Sequence, residues 1–267
     1  MGYSMVLLDY IPKNTFFHKL NTISKLVWLI TVIVLAFLFN SIMYISIIFV
    51  FTLICLGVSR IPLDKIVQYF RILLLPLVFI VGYEALTYPN GRVVVALPYG
   101  INVSLDGILL GLTFAFRLLV MVFASTVFTY TTPYNRVITL LFKLRIPYPI
   151  IFILLIALRY IPLLQRELTI IIDAQKSRGV ELEKFHSLKQ VLKMYIPVMM
   201  VVLINGLRRS QQLAMALTIR GFNPKTKWKP IDEECMKLQD YLFITLMMTI
   251  LIIGVYLYIQ GYGSRLW

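Results

Sequence analysis

The stretch that decides the fold is LVWLITVIVLAFLFNSIMYISIIFVFTLICLGVS, which covers Leu26–Ser59 without one charged side chain. Its 34 residues would make one helix of about 51 Å, at ~1.5 Å per residue. The hydrocarbon core of a bilayer is only about 30 Å thick. The sequence therefore predicts two membrane spans that meet near Asn40-Ser41. The first span then begins near Leu20, and we expect Lys25 to extend its ammonium group to the membrane interface.

The composition of the whole chain also indicates a membrane protein. Of 267 residues, 60% are hydrophobic and only 14% are charged, against roughly 45–50% and 25% in soluble domains. Lys and Arg outnumber Asp and Glu by 26 to 12, which gives a formal net charge of +14 and a basic water-facing part. Two Cys and two His are too few for a disulfide framework, a zinc site or a histidine metal centre. We expect no metal site, no cofactor and no nucleic-acid partner.

Three further spans follow from apolar runs at 72–88, about 105–131 and 241–259. The apolar stretch 150–158 is far shorter than the roughly 20 residues that a span needs, so we expect it to begin a buried or interfacial helix. With five spans, the basic segments before the first span, between the second and third, and over 132–240 all face the cytoplasm, as the positive-inside rule requires. The sequence thus predicts a multi-pass protein with a cytoplasmic N-terminus and an uncleaved signal anchor.

Residues 132–240 have few turn residues for their length, which argues against a loop. Periodic apolar residues predict two long helices there, over about 148–178 and 187–220. Pro162 and Pro197 fall inside these helices and should kink or divide them. We therefore predict an all-α membrane protein in three parts. These are spans one to four in 1–131, a cytoplasmic region of long helices in 132–240, and the last span with an external C-terminus in 241–267.

Both predicted long helices end in the same way, one in Ala174-Gln175-Lys176-Ser177-Arg178-Gly179 and the other in Ala216-Leu217-Thr218-Ile219-Arg220-Gly221. A Gly just past a helix adopts the left-handed conformation easily, and an Arg in the last turn complements the negative end of the helix dipole. Two ordinary helix ends are therefore one interpretation. The recurrence favours another, in which Arg178 and Arg220 are two fixed cations for acidic grooves of a partner.

At these residues the sequence resembles the transmembrane T component of energy-coupling factor (ECF) transporters, the EcfT/CbiQ family. That family has a short Ala-Arg-Gly-type motif at the end of each of two coupling helices. The Arg and Gly of the motif match in Ser177-Arg178-Gly179 and Ile219-Arg220-Gly221, while the first residue is Ser or Ile. Further similar runs are Thr131-Thr132-Pro133, Leu144-Arg145-Ile146-Pro147 and Ala157–Leu164, with the later Ala174.

The resemblance implies a non-catalytic scaffold of an ABC transporter complex in the bacterial cell membrane. A T component binds two cytosolic ATPases of the EcfA type through its coupling helices, and a small membrane S component that captures a vitamin. ATP binding and hydrolysis move the ATPases, and the coupling helices pass this motion to the S component. A dedicated T component for cobalt or nickel is the alternative within the family. The residues implied at the ATPase contacts are Ala174, Ser177, Arg178, Gly179, Ala216, Ile219, Arg220 and Gly221.

Glu84 and Arg117 are ionisable residues inside predicted spans, where charge is unfavourable and usually paired or functional. Counted inward from residues 72 and 131, they lie about 18 and 21 Å from the cytoplasmic face, at ~1.5 Å per residue. Because these depths match, we expect an ion pair between the two spans. It would serve either to fix the helix register or as part of a proton or substrate relay.

Small residues recur at every fourth position of the fourth span, in Gly107, Gly111 and Ala115, and they permit close helix approach. This series fits either internal packing or the seat of the S component. Met199 and Met200, on the second long helix, suit apolar packing or an adaptable partner surface. We assign all five residues to the S-component contact as an expectation.

Two other function classes compete with the scaffold. An intramembrane lipid-modifying enzyme is disfavoured because the sequence has no Asp-Asp-x-x-Asp motif, no His-Glu-x-x-His motif and no paired carboxylate within a span. A secondary transporter is disfavoured because five spans allow no clean inverted repeat. The chain also has no Gly-x-x-x-x-Gly-Lys-Ser/Thr loop, so any ATPase of the P-loop kind has to be a separate chain.

Overall fold

The structure is a computed structural model, and it describes residue 13 and residues 15–88, 93–96, 102–178, 188–223 and 236–262. Regular structure in this part of the chain is helical apart from one short antiparallel hairpin, so the predicted all-α membrane fold is confirmed. In chain order the elements are α1 (Phe16–Lys19), α2 (Thr22–Leu38), α3 (Ile42–Val58), α4 (Leu63–Thr87), β1 (Val93–Ala96), β2 (Asn102–Ser104), α5 (Leu105–Thr131), α6 (Tyr134–Lys143), α7 (Tyr148–Ser177), α8 (Leu188–Ile219) and α9 (Leu238–Ile259).

The chain divides into two compact units, Met1–Leu140 with Glu233–Trp267, and Leu141–Asp232. The first unit contains α1 to α5 and α9, and the second contains α7 and α8. The three-part division expected from the sequence stays a prediction.

The centre of the first unit is α5, which packs against α4, α3 and α2. Val120, Ala124 and Val127 are fully buried along it, and the fully buried Trp28 of α2 belongs to the same core. The outer faces are apolar as well, and Leu75 of α4, for example, is 78% exposed. A helix that is apolar on its exposed face as well as its buried one is typical of a membrane span.

Four of the described helices, α4, α5, α7 and α9, are long and apolar enough to cross a membrane. The helices α2 and α3 have 17 residues each, or about 25 Å at ~1.5 Å per residue. The helix α7 qualifies because it continues through Arg159 and Pro162 to Ser177. Length therefore does not exclude a membrane crossing at 150–158, and the expectation that this stretch is too short is wrong. The count of five spans stays a prediction.

The two long helices predicted for the insert are present as α7 and α8, and Pro162 and Pro197 divide neither of them. The helix α4 begins at Leu63, nine residues before the predicted span, because its first turns include charged residues that a search for uncharged runs passes over. This earlier start changes the depth of every residue on α4.

Buried polar contacts join the start of α2 to α5 and α9. Lys25 is 1% exposed, and its Nζ donates to the Thr131 carbonyl at 2.8 Å. That carbonyl is among those left unpaired at the end of α5. Asp240 accepts from the backbone N–H groups of Asn21 at 2.8 Å and Lys237 at 2.9 Å. The expectation that Lys25 reaches the membrane interface is wrong, because a helix end offers a nearer acceptor.

The helices α4 and α5 approach each other most closely at two glycines. A Cβ added to Gly107 would lie 2.5 Å from the Glu84 carbonyl oxygen, and one added to Gly111 would lie 2.8 Å from the Val81 Cα. Ala115, one turn further along α5, is also buried. Of the two alternatives for this series of small residues, the structure favours internal packing over a contact with an S component.

We expect Gly111→Ala to lower the stability of the first unit by about 1–3 kcal/mol, because the added methyl group overlaps backbone that has no room to move. Gly82→Ala is the matched control on α4, where a Cβ meets nothing within 4 Å. It should raise stability by roughly 0.5–1 kcal/mol, since Ala restricts the unfolded chain more than Gly does. Thermal unfolding in detergent, followed by circular dichroism, measures both. A melting temperature for Gly111→Ala at or above that of the unaltered chain would contradict the close packing.

Candidate coupling site

The helices α7 and α8 run antiparallel within the second unit. Phe222, three residues after the last residue of α8, stacks on Phe152 near the start of α7 with ring centroids 4.4 Å apart. Further along, Arg209 of α8 forms an ion pair with Glu167 of α7. The second contact lies 15 residues after the first along α7 but 13 residues before Phe222 in the chain, so the two helices run in opposite directions. The end of α8 therefore lies beside the start of α7.

The second motif closes α8 through a defined backbone arrangement. Gly221 has a φ of +69°, in the left-handed region that Gly adopts without strain. The N–H of Gly221 donates to the Thr218 carbonyl at 3.0 Å, and that of Phe222 donates to the Leu217 carbonyl at 2.9 Å. These two bonds make a Schellman motif. They fix Arg220 at the tip of the helix while Phe222 turns back onto α7.

The first motif lies at the end of α7, as the second lies at the end of α8. Arg178 follows the last helical residue, and its N–H donates to the Gln175 carbonyl at 3.1 Å. The Ser177 hydroxyl donates to the Asp173 carbonyl at 3.0 Å, so it is used within the helix. Gly179 lies outside the described residues. The helix end expected at this point of the sequence is therefore present.

Both arginines, Arg178 and Arg220, are exposed at their helix ends, and within the described part of the chain neither guanidinium has an ion-pair or hydrogen-bond partner. Four residues before each Arg, and so on the same helix face, lie the exposed Ala174 and Ala216. Ile219 is 86% exposed. Small neighbours allow a partner surface to approach each guanidinium closely.

The two cations lie at opposite ends of the helix pair. Phe222 marks the end of α8 beside Phe152, and Arg178 is 26 residues beyond Phe152. At ~1.5 Å per residue, this separates the two ends by about 39 Å along α7. One compact acidic groove does not reach both, so the arrangement suits two separate binding sites.

Met199 and Met200 are exposed at 56% and 55%, in the central part of α8. They form part of an apolar surface with neighbouring exposed residues such as Ile196 and Leu203. Their assignment to an S-component contact stays a prediction.

In the first unit, Arg117 binds the turn between α2 and α3. Its Nε donates to the Ala36 carbonyl at 2.7 Å, and its Nη2 donates to the Phe39 carbonyl at 3.0 Å and to Asn40 Oδ1 at 2.8 Å. Within the described residues no ion pair joins Arg117 to Glu84. The predicted pair is therefore corrected: Arg117 satisfies carbonyls at the end of α2.

The predicted pair fails because helix depth was counted from the wrong start and says nothing about rotation around the axis. The helix α4 begins at Leu63, and Glu84 lies beside Gly107 and Gly111. Arg117 is six residues beyond Gly111, or about 9 Å further along α5 at ~1.5 Å per residue. Its guanidinium lies over the Phe114 ring instead, 5.0 Å from the centroid.

Two contacts between α7 and α8, the Phe222 stacking and the Glu167–Arg209 ion pair, were not predicted from the sequence. A signal for Phe222 exists, because the second residue after a Schellman helix end is often hydrophobic and packs back. The Glu167–Arg209 pair joins residues 42 positions apart on two helices, and helical spacing within one helix gives no sign of it.

Together these features define a multi-pass all-α membrane protein whose two long antiparallel helices each end in an exposed arginine. The profile of the family CbiQ, described as "Cobalt transport protein", matches residues 13–230. The chain belongs to this family, which confirms the resemblance found in the sequence. Membership identifies it as a transmembrane transport protein rather than an enzyme.

Named relatives cover nearly the whole chain. A protein of Staphylococcus aureus is 28% identical over 261 residues, 95% of this chain and 97% of its own length. One of Lactococcus lactis subsp. cremoris is 27% identical over 94% of this chain and 97% of its own. One of Brevibacillus brevis is 29% identical over 83% and 86%. All three are named "Energy-coupling factor transporter transmembrane protein EcfT".

Proposed function

We propose that the chain is the T component of an ECF transporter. It would couple ATP hydrolysis by two cytosolic EcfA-type ABC ATPases to a membrane S component that captures a vitamin for uptake. The observation that carries this proposal is the position of Arg178 and Arg220 at opposite ends of the α7–α8 pair. The names of the relatives support it, since each is an energy-coupling factor transporter transmembrane protein.

Each arginine would dock into an acidic groove of one ATPase. A guanidinium forms two parallel, charge-assisted hydrogen bonds to a carboxylate, which gives strength and a defined orientation. The rigid end of α8, closed by Gly221 and held on α7 by Phe222, would transmit ATPase movement without losing it in a flexible loop. The ion pair between Glu167 and Arg209 would couple the two helices midway.

The proposal includes an orientation. The N-terminus and both arginine motifs would face the cytoplasm, because the short segments 13–25 and 60–71 carry three Lys or Arg residues each and short basic segments remain on that side. Five spans would place 132–240 on the same side. The ATPases would then meet Arg178 and Arg220 from the cytosol.

A dedicated cobalt or nickel T component remains the second candidate, since the matching family is described as "Cobalt transport protein". The two candidates share the scaffold and its ATPase contacts. They differ only in the S component and its cargo, which lie in another chain.

The test is purification of the tagged chain in mild detergent after co-expression with candidate ATPases and an S component. We expect one complex that contains two ATPase chains and one S component, and ATP-driven vitamin uptake after reconstitution into vesicles. Uptake of Co²⁺ or Ni²⁺ but not of a vitamin would select the second candidate. A chain that purifies without ATPases, while the same ATPases assemble with an established T component, would contradict both.

A further inference from the structure

A cavity of about 310 Å³ lies between α4 and α5, close to the end of α5. This volume is at the lower end of the roughly 300–1,000 Å³ of small-molecule sites. Thr129 and Ser125 lie two and six residues before the last residue of α5, or about 3 and 9 Å from its end at ~1.5 Å per residue. The residues that line the cavity are Tyr69 of α4 and Met121, Val122, Ser125, Thr126, Thr129 and Tyr130 of α5.

Two hydroxyl groups at this cavity are unusual for a membrane span. By contrast, the hydroxyls of Thr126, which also lines the cavity, and of Thr113 and Thr131 donate to the carbonyl four residues earlier at 2.7–2.8 Å. Ser125 and Thr129 are exposed, and neither has a hydrogen-bond partner among the described residues. Since an unpaired hydroxyl in an apolar environment is unfavourable, both are available to whatever fills the cavity.

The remaining walls give the cavity a polar side and an apolar side. The Tyr69 and Tyr130 hydroxyl oxygens lie 3.4 Å apart, so two further hydroxyls border the same space. Met121 and Val122 contribute apolar surface deeper along α5. A ligand that fits must therefore offer hydrogen-bond acceptors near the end of α5 and an apolar part towards the middle of the helix.

We propose that this cavity binds a glycerophospholipid through its glycerol-ester region. Ser125 and Thr129 would donate to the ester carbonyls, and an acyl chain would lie along Met121 and Val122. The level of the two hydroxyls, within about 10 Å of the end of a candidate span, matches the boundary between headgroups and acyl chains. Ester carbonyls are free acceptors at that level. The backbone carbonyls of a neighbouring transmembrane helix already accept within their own helix.

The experiment is native mass spectrometry of the delipidated full-length chain, titrated with dioleoyl-phosphatidylglycerol and with the diether analogue that has the same headgroup and chains. The diether lacks both carbonyl acceptors. We expect the diester to bind about 10-fold more tightly, in line with two hydrogen bonds of modest net strength. In the double variant S125A/T129A this preference should disappear. The headgroup is common to both lipids, so its attraction cancels.

The matched control is T245A/T249A on α9. These two threonines are also exposed and one turn apart, but their hydroxyls donate to the Leu242 and Leu246 carbonyls at 2.9 and 2.8 Å. The control should keep the full preference for the diester. Circular dichroism verifies that both double variants retain the helical fold.

Equal binding of diester and diether lipid by the unaltered chain would overturn the proposal, and so would a preference that persists in S125A/T129A. Loss of S-component binding by S125A/T129A with an unchanged ester preference would assign the cavity to a partner helix instead. Co-purification of ATPases is a separate readout, so failure of the proposed function and failure of this lipid site are distinguishable.

Discussion

Replacing Arg178 and Arg220 together by Ala should abolish binding of both ATPases while the membrane helices remain folded. Truncating one partner of a buried, hydrogen-bonded charge pair costs about 2–5 kcal/mol, or roughly 30- to several-thousand-fold in affinity at each site. Because the two ends lie far apart, each single variant should weaken only one ATPase contact. The measurement is the amount of each ATPase that co-purifies with the tagged chain, together with circular dichroism of the variant.

The control for this experiment is the double variant R166A/R208A. Arg166 lies on α7 and Arg208 on α8, both are exposed, and neither has a partner among the described residues. The control removes the same total charge from the same two helices, and it should keep both ATPases. Full assembly of the Arg178 and Arg220 double variant would argue against the docking role. An equal loss in the control would show that net charge, not the position of the helix ends, governs assembly.

Replacing Arg117 by Met should destabilise the first unit by about 2–5 kcal/mol. The guanidinium is the donor for the Ala36 and Phe39 carbonyls at the end of α2. Met fills similar space but donates nothing, so both carbonyls lose a partner in apolar surroundings. Thermal unfolding in detergent, followed by circular dichroism, should show a clearly lower melting temperature.

Three comparison variants test whether the loss of stability comes from the hydrogen bonds of Arg117. Arg117→Lys should recover only part of the stability, because an ammonium lacks the planar fork that reaches several acceptors at once. Arg71→Met removes an exposed arginine of α4 that has no partner among the described residues, and it should change stability by less than ~0.5 kcal/mol. Glu84→Gln should be equally mild. If Glu84→Gln lowered stability as much as Arg117→Met does, this would support an ion pair between Glu84 and Arg117 and contradict the structure.

The helices themselves were predictable because their signals are local. Apolar runs and 3.6-residue spacing identified α2, α3, α5, α7, α8 and α9, and the recurring Arg-Gly pair marked where α7 and α8 end. The start of α4 was less predictable, because Asp64 and Lys65 make its first turn look like a loop when only uncharged runs are searched. Charged residues in a first turn are compatible with helix formation, but they hide the start of the helix from a search for uncharged runs.

The partners of buried polar groups were not predictable from position in the sequence. Depth along a span was estimated for Glu84 and Arg117, but hydrogen bonds depend on rotation about the helix axis and on which neighbour is adjacent. Lys25 likewise binds the Thr131 carbonyl instead of extending to the membrane interface. A donor takes the nearest free acceptor, and only the packed structure decides which acceptor is near.

The sequence by itself determined that this is an all-α membrane protein with two long helices that end in arginine, since hydropathy, periodicity and helix-end chemistry all act over a few residues. Tertiary structure decided that the two arginines lie at opposite ends of an antiparallel pair, that Gly107 and Gly111 face α4, and that Ser125 and Thr129 border a cavity. These features depend on contacts between residues distant in the chain, and the free energy of such contacts is set by three-dimensional packing rather than by any local pattern.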